Sequence, residues 1–187
     1  MFTLKVDQEI RLQLFQVQDS VRLFQLIEEN REHLCRWLPW MVQITSPYQL
    51  VNIIPVWLKQ FAENNGFHAA ILYYEELVGA IGLHQVDWAN RQTSIGYYLA
   101  KKAEGRGIMI RTVRALLNYI FFELELNRVE IRCGERNLKS RAIPEKLGFV
   151  MEGKIREGER LTTGYHDLIL YSKLSREWQQ NPVYNLF

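Results

Sequence analysis

Apolar and polar residues alternate over residues 10–17, and this alternation predicts a β-strand. Asp19 and Ser20 come next and can cap a helix. Within that helix the apolar residues recur at helical spacing, at Val21, Leu23, Phe24 and Ile27. The N-terminal region therefore predicts a strand followed by an amphipathic helix.

A second helix is predicted where a capping serine precedes a proline. Ser46 can accept a hydrogen bond from the first turn, and Pro47 suits the first helical position, where an N–H has no helical partner. The helix should end at the Asn-Asn-Gly stop of residues 64–66. Pro55 lies inside this segment and should kink or divide the helix, because proline has no N–H to donate.

The spacing of apolar residues changes to that of strands after residue 67. Three segments, 68–75, 77–88 and 93–100, are rich in strand-forming residues and are separated by turn residues. Short connections favour antiparallel neighbours. The middle of the chain therefore predicts an antiparallel meander of three strands.

Helices and strands alternate in the C-terminal part. Residues 104–126 predict a long helix whose apolar face consists of Val113, Leu116, Leu117, Ile120, Phe121 and Leu124. Residues 129–133 predict a buried strand, residues 140–149 a short helix that a glycine stops, and residues 167–174 a final strand. This order predicts an α/β fold: one domain over residues 1–187, with a mixed, mostly antiparallel central sheet flanked by helices.

Composition narrows the class of protein. At 187 residues with 48% apolar and 24% charged residues, the chain has material for one core and is not a disordered protein. The net charge of +2 argues against a chain-wide nucleic-acid or anionic-membrane surface, and no apolar run approaches the ~20 residues of a membrane span. Cys35 and Cys133 lie far apart, so neither a disulfide framework nor a metal site is expected. The first ten residues do not resemble a secretory signal, and a cytoplasmic location is expected.

The segment 103–109 joins a predicted strand to the predicted long helix and carries two glycines. Glycines allow close approach of a ligand to the backbone, and unpaired N–H groups at a helix start attract phosphate. The loop lacks the lysine of a Walker-type ATP site, and Ile110 stands where a dinucleotide fold needs its third glycine. Positive charge near the helix start comes from Arg106, Arg111 and Arg114. Either a tight turn or a site for another diphosphate-bearing ligand fits this segment.

Two motifs resemble the GNAT family of N-acetyltransferases. They are GYYLAKKAEGRGIMIRTVRALL at 96–117 and ERNLKSRAIPEKLGF at 135–149. Together with REGERL at 156–161, they are most similar to the RimJ/RimL group of ribosomal-protein acetyltransferases. The resemblance implies a GNAT-like fold, acetyl-CoA as co-substrate without a metal, and direct attack of a primary amine on the thioester in a ternary complex.

The resemblance also implies where acetyl-CoA binds. The positions that it assigns to the cofactor are Tyr98, Leu99, Ala100, Gly105, Arg106, Gly107, Ile108, Met109, Asn137 and Ser140. A backbone N–H near Leu99 is implied to meet the thioester carbonyl. The family's loop pattern, Gln/Arg-x-x-Gly-x-Gly/Ala, falls on Glu104, Gly107 and Met109, so its first and last positions depart. We expect Glu104 to point into solvent, because a carboxylate facing a pyrophosphate costs affinity.

The resemblance assigns Ser140 to protonation of the departing thiolate of CoA. A serine at a helix start can equally be a cap, and Asn137 can be either a cap or a cofactor contact. Pro144 bears on this segment, because it cannot donate to the carbonyl of Ser140, four residues before it. The helix should therefore lack a backbone hydrogen bond or bend at Ser140.

Glu159 is implied to take the proton of the acceptor amine, through a water molecule. A carboxylate can serve if partial burial raises its pKa. From the residues alone, Glu159 could also be a surface residue in a charged stretch. His84 lies on a predicted strand, where it has either an ordinary strand or surface role or the role of a second base, and Cys133 is expected to be a core cysteine.

The acceptor is implied to be the N-terminal α-amine of a ribosomal protein. Segments that line the acceptor cleft in this family carry Trp37, Trp40, Trp57 and Trp88, and an extended loop at Pro39–Trp40 is expected to cover a substrate. Two alternatives stay open: a small amine such as a polyamine or an aminoglycoside, and a non-catalytic acyl-CoA-binding module. No direct nucleic-acid or membrane partner is expected, and a homodimer is a family-level expectation.

Overall fold

The computed structural model describes residues 2–180, and one eight-stranded sheet forms their centre. The strands are β1 (Thr3–Lys5), β2 (Ile10–Leu14), β3 (Phe67–Tyr73), β4 (Glu76–Leu83), β5 (Gln92–Leu99), β6 (Arg128–Gly134), β7 (Val150–Leu161) and β8 (Gly164–Leu174). Their order in the sheet is β1-β2-β3-β4-β5-β6-β8-β7. Every neighbouring pair is antiparallel except β5 and β6, which are parallel. The predicted mixed, mostly antiparallel sheet is confirmed.

Helices cover both faces of this sheet. They are α1 (Ser20–Glu29), α2 (Arg31–Cys35), α3 (Pro47–Ala62), α4 (Ile108–Asn118), α5 (Leu138–Lys146) and α6 (Ser175–Gln179). Apolar residues of α1, α2 and α3 pack with Ala70, Leu72 and Ala80 on one face, which we call the α1–α3 face. Those of α4, α5 and α6 pack with Ile71, Ile81 and Ile131 on the other, the α4–α6 face. Because both faces are covered, the central strands are apolar on both sides.

The predicted helix starts and the meander are largely confirmed. Ser46 accepts a hydrogen bond from the N–H of Tyr48, and the Gln49 side chain accepts one from the N–H of Ser46, so this end is a capping box. Pro55 does not divide α3, which continues unbroken from Pro47 to Ala62. Pro55 lies on the exposed side of the helix, where water can bond the carbonyl that it leaves free.

Several boundaries differ from the prediction. Strands β1 and β7 were missed, because β1 has only three residues and β7 is a largely exposed, charged edge strand without clean alternation. Residues Pro39–Gln43 form a 3₁₀ helix, so the expected extended loop at Pro39–Trp40 is wrong. The long helix ends at Asn118 and passes into a π-helical turn, Tyr119–Glu123. Val21 is 51% exposed, and the buried face of α1 is formed instead by Leu23, Leu26 and Ile27.

Strands β5 and β6 separate partway along their length. They pair only at Gln92–Arg128, Thr93–Val129 and Ser94–Glu130. Beyond Ser94, β5 continues against β4 and β6 continues against β8. The sheet therefore has an opening between the second half of β5 and the end of β6, and this opening joins its two faces.

A tyrosine on β5 forms a hydrogen bond to helix α5 beside this opening. Pro144 lies inside α5 and leaves the carbonyl of Ser140 without its helical donor, as predicted. The phenol of Tyr97, on β5, donates to that carbonyl at 2.9 Å. At the helix start, Asn137 Oδ1 accepts from the N–H of Ser140 at 3.2 Å. Strand β5 thus holds the first turn of α5 across the opening.

We expect Tyr97→Phe to lower the free energy of unfolding by about 1–2 kcal/mol, because the Ser140 carbonyl then loses its donor. In a Pro144→Ala background the loss should be smaller, because an alanine at that position restores the helical N–H. Urea denaturation of the four proteins measures both losses, with Tyr165→Phe as an exposed control. Equal losses with and without Pro144 would show that the phenol does not substitute for the helical donor.

Candidate active site

The edge of β5 that faces the opening carries backbone donors. The N–H of Ala100, which follows β5, donates to the carbonyl of Val78 on β4 at 2.8 Å. Because N–H directions alternate along a strand, the N–H groups of Tyr97 and Leu99 point away from β4 and into the opening. Two donors on one edge can stabilise an oxyanion that forms between the strands.

The loop before α4 presents backbone N–H groups. Gly105 and Gly107 have φ angles of 76° and 72°, which residues other than glycine rarely adopt. Gly107 is the N-cap of α4 and has no side chain that could accept a hydrogen bond there. The first N–H groups of the helix are therefore left to bind an anion. Ile108 and Met109 point into the core, and Arg106 is exposed. Of the predicted cofactor positions here, Ile108 and Met109 can contribute only backbone.

Glu104 does not point into solvent, so that expectation is wrong. Its side chain is 24% exposed, with Oε1 at 3.2 Å from His33 Nε2 and Oε2 at 2.5 Å from Lys139 Nζ. These two partners come from α2 and α5, and they flank the loop from two sides. The carboxylate is therefore neutralised within the protein. Arg111 is likewise engaged, with Asp7 at 2.7 Å and Glu9 at 2.8 Å.

Tyr98 and Ala100 lie on the α1–α3 face. Ala100 is buried, and the Tyr98 ring packs against the apolar cluster of that face. The Tyr98 hydroxyl is buried without a hydrogen-bond partner among residues 2–180, and burial raises the pKa of the phenol. Their side chains thus face away from α4 and α5, and only their backbones border the opening.

Ser140, Cys133 and Tyr97 meet on the α4–α6 side of the opening. Ser140 Oγ lies 3.3 Å from Cys133 Sγ, while the Tyr97 phenol bonds the Ser140 carbonyl. Asn137 is the cap of α5, which leaves the Ser140 hydroxyl free of that role. Burial raises the pKa of both the Cys133 thiol and the Tyr97 phenol. All three groups are therefore protonated near neutral pH, and Cys133 is a core cysteine, as predicted.

Glu159 lies on the opposite side of the sheet. It is on β7, directly across from His166 of β8, after a register shift between Ile155 and Glu159. Side chains alternate between the two faces along β8, so His166 lies on the same face as Leu168. Leu168 pairs with Gly134 at the end of β6. Cys133, next to Gly134, faces α4 and α5, so Glu159 faces the α1–α3 side. Partial burial raises the pKa of the Glu159 carboxyl above its usual range.

Aromatic residues surround the α1–α3 side of the opening. Trp57 of α3 stacks on His68 at 4.7 Å and meets Trp40 edge-on at 6.4 Å, and Trp37 lies against Gly134. Trp88 secures a turn by donating to the carbonyl of Asn64. The Trp57–His68 stack was missed by sequence reasoning, since the two residues lie on different elements and form no motif.

His84 stands next to this stack. It follows the last residue of β4, and its Nδ1 lies 3.2 Å from Ser94 Oγ. Partial burial, together with the positive charge of Arg132, lowers the pKa of His84. Burial and the neighbouring His84 lower the pKa of His68 to about 4. Both imidazoles are therefore neutral at pH 7.

Within residues 2–180, no group of three or more His, Cys, Asp or Glu side chains is arranged to hold a metal ion. Over the same residues, no helix is both long and apolar enough to cross a membrane.

Comparison with known proteins gives consistent matches. The model of the acetyltransferase (GNAT) domain matches residues 9–150. YdaF of Bacillus subtilis, provisionally named a ribosomal N-acetyltransferase, is 45% identical over 181 residues, which cover 96% of this chain and 98% of YdaF. The ribosomal-protein-serine acetyltransferase of Escherichia coli is 28% identical over 174 residues, 92% of this chain and 96% of that protein.

Among solved structures, the fold is shared with RimL, a ribosomal α-N-protein acetyltransferase in complex with coenzyme A, which is joined by a disulfide to a RimL cysteine. The TM-score is 0.89 at 23% identity, over 92% of this chain and 98% of RimL. The domain match and the 45% identity to YdaF together show that this chain belongs to the GNAT family of acetyltransferases.

Proposed function

We propose that this protein transfers the acetyl group of acetyl-CoA to the N-terminal α-amine of a protein, with ribosomal proteins as the acceptor class. The observation that carries the proposal is the opening between β5 and β6, which has protonated groups on one side and a carboxylate of raised pKa on the other. The names of YdaF and of the Escherichia coli relative support the acceptor class, and the RimL complex supports the cofactor.

The residues of the loop and the opening fit acetyl-CoA. The uncapped N–H groups from Gly105 to Met109 would hold its diphosphate, and the edge of β5 would bind its pantetheine arm. When bound, acetyl-CoA supplies an activated thioester. The N–H groups of Tyr97 and Leu99 would then donate to the carbonyl oxygen as negative charge develops on it.

Direct transfer then needs three proton movements. Glu159, acting through a water molecule, takes a proton from the acceptor ammonium and leaves a neutral amine. The amine nitrogen forms a bond to the acyl carbon, the carbon–sulfur bond breaks, and the nitrogen, which is now positively charged, loses a second proton to water and becomes a neutral amide. Ser140 donates a proton to the departing thiolate and regains one from water, with Cys133 and Tyr97 beside it as further protonated groups.

A polyamine acceptor lacks comparable support. A polyamine site needs clustered carboxylates, and the dense set in this chain is Glu28, Glu29 and Glu32. These residues lie in α1 and α2, where Glu28 pairs with Arg31. The α1–α3 side of the opening, where an acceptor would enter, is lined by aromatic side chains and not by clustered carboxylates.

Transfer is tested most simply by release of free CoA from acetyl-CoA in the presence of peptides that begin with alanine or with serine, the residue in the name of the Escherichia coli relative. We expect release together with a mass increase of one acetyl group at the peptide N terminus. Peptides with blocked N termini are the control. Calorimetric binding of acetyl-CoA without release for any amine would instead support a non-catalytic binding module.

Glu159→Gln should lower kcat/KM for the peptide by about a hundredfold or more, because a positioned general base contributes that much. In the unaltered protein, kcat/KM should rise with pH through the raised pKa of Glu159, since only the ionised carboxylate accepts a proton. The variant should lose this rise. Glu157→Gln, an exposed carboxylate on the same strand, is the matched control. An unchanged pH profile in Glu159→Gln would remove Glu159 from the proton transfer.

Glu104→Gln should tighten acetyl-CoA binding by about twofold to fivefold, because the change removes a negative charge beside the diphosphate loop and releases Lys139 and His33. Calorimetry measures the dissociation constant. Glu32→Gln removes an exposed charge from the same region and should have little effect. Weaker binding by Glu104→Gln would show that the bridge organises the loop for the cofactor.

A further inference from the structure

The ring of His84 lies over two glycines of the sheet at the start of the opening. A Cβ atom added to Gly96 would lie 2.9 Å from His84 Cε1 and 3.2 Å from its Nε2. A Cβ atom added to Gly82 would lie 3.4 Å from His84 Cδ2. The two glycines pair with each other across β4 and β5 and leave room for the ring. Nε2 therefore lies over Gly96, just beyond Ser94, the last β5 residue that pairs with β6.

The two ring nitrogens of His84 have different surroundings. Nδ1 is held by Ser94 Oγ at 3.2 Å, on the β5 side. If Nδ1–H donates to that hydroxyl, the lone pair is on Nε2. His84 is exposed to solvent, so a ligand can reach Nε2.

Few charged or titratable groups act on this imidazole. His68 of β3 lies 6.0 Å away between ring centroids, and Trp57 of α3 stacks on His68. Arg132 of β6 contributes the positive charge that disfavours protonation of His84. Arg132 is itself paired with Glu130 at 3.0 Å. The setting keeps His84 a neutral hydrogen-bond acceptor.

His84 and Glu159 lie on the same face of the sheet, on opposite sides of the opening. His84 is at the β4–β5 side, whereas Glu159 is on β7, beyond β8. Side chains directly opposite in register share a face, which places both on the α1–α3 side.

We propose that His84 Nε2 accepts a hydrogen bond from the attacking amine and so directs the amine lone pair toward the acyl carbon. This role rests on the proposed function. A neutral primary amine has two N–H groups and one lone pair. When one N–H is bonded toward Glu159 and the other to His84, only the lone pair is left to face the opening. His84 is thus a positioning residue for the acceptor, and Glu159 keeps the proton transfer.

This arrangement distinguishes primary from secondary amines. An N-methylated amine has only one N–H after deprotonation and cannot bond both acceptors. The unaltered protein should therefore prefer a peptide that begins with alanine over the same peptide that begins with N-methylalanine. His84 should account for part of that preference.

The test compares kcat/KM for these two peptides in four proteins. Relative to the unaltered chain, His84→Ala should lose about tenfold to a hundredfold with the alanine peptide, the range for one lost hydrogen bond at a reacting group. It should lose much less with the N-methyl peptide, so the preference ratio falls. His84→Gln can place an amide oxygen near the Nε2 position and should recover most of the activity. Gln85→Ala is the matched control, since it shortens an exposed side chain next to His84, and it should leave the ratio unchanged.

Acetyl-CoA binding by calorimetry and thermal unfolding accompany each variant, so that a folding defect is recognised. A preference ratio that is the same in His84→Ala and the unaltered protein overturns the inference while leaving acetyl transfer intact. If the unaltered protein binds acetyl-CoA and acetylates neither peptide nor any other amine, the proposed function fails instead.

Discussion

The separation of β5 from β6 after Ser94 is the constraint on which the rest of the site depends. Along most of the described sheet neighbouring strands are paired, but here the N–H groups of Tyr97 and Leu99 face an opening. Backbone groups removed from water without a partner are costly. In the proposed function, these donors meet the carbonyl oxygen of a bound thioester.

The opening also accounts for the division of the proposed site residues between the two faces of the sheet. Ser140, Cys133 and Tyr97 lie toward α4 and α5, next to the loop that precedes α4. Glu159 and His84 lie toward α1 and α3. A thiolate that leaves on the first side and an amine that arrives on the second would each meet the group suited to its proton. On the α4–α6 side, the Tyr97 phenol connects β5 to α5 beside the opening, because it donates to the Ser140 carbonyl.

Periodicity in the sequence predicted most of the elements, because burial on both faces imposes strong patterns on the central strands and on α4. It failed for β7, since an exposed edge strand has no need for apolar alternation. Pro144 predicted a free carbonyl at Ser140, but the donor comes from a distant strand and left no local signal. Glu104 illustrates the same limit, because its partners, His33 and Lys139, become neighbours only after α2 and α5 have packed around the loop.

The most direct test of the central claim is a crystal structure of this protein with acetyl-CoA. The thioester should lie in the opening between β5 and β6, with its carbonyl oxygen within hydrogen-bond distance of the Leu99 or Tyr97 N–H and its sulfur near Ser140. A cofactor bound elsewhere, or an acyl chain that leaves the opening empty while β5 and β6 remain apart, would contradict the claim.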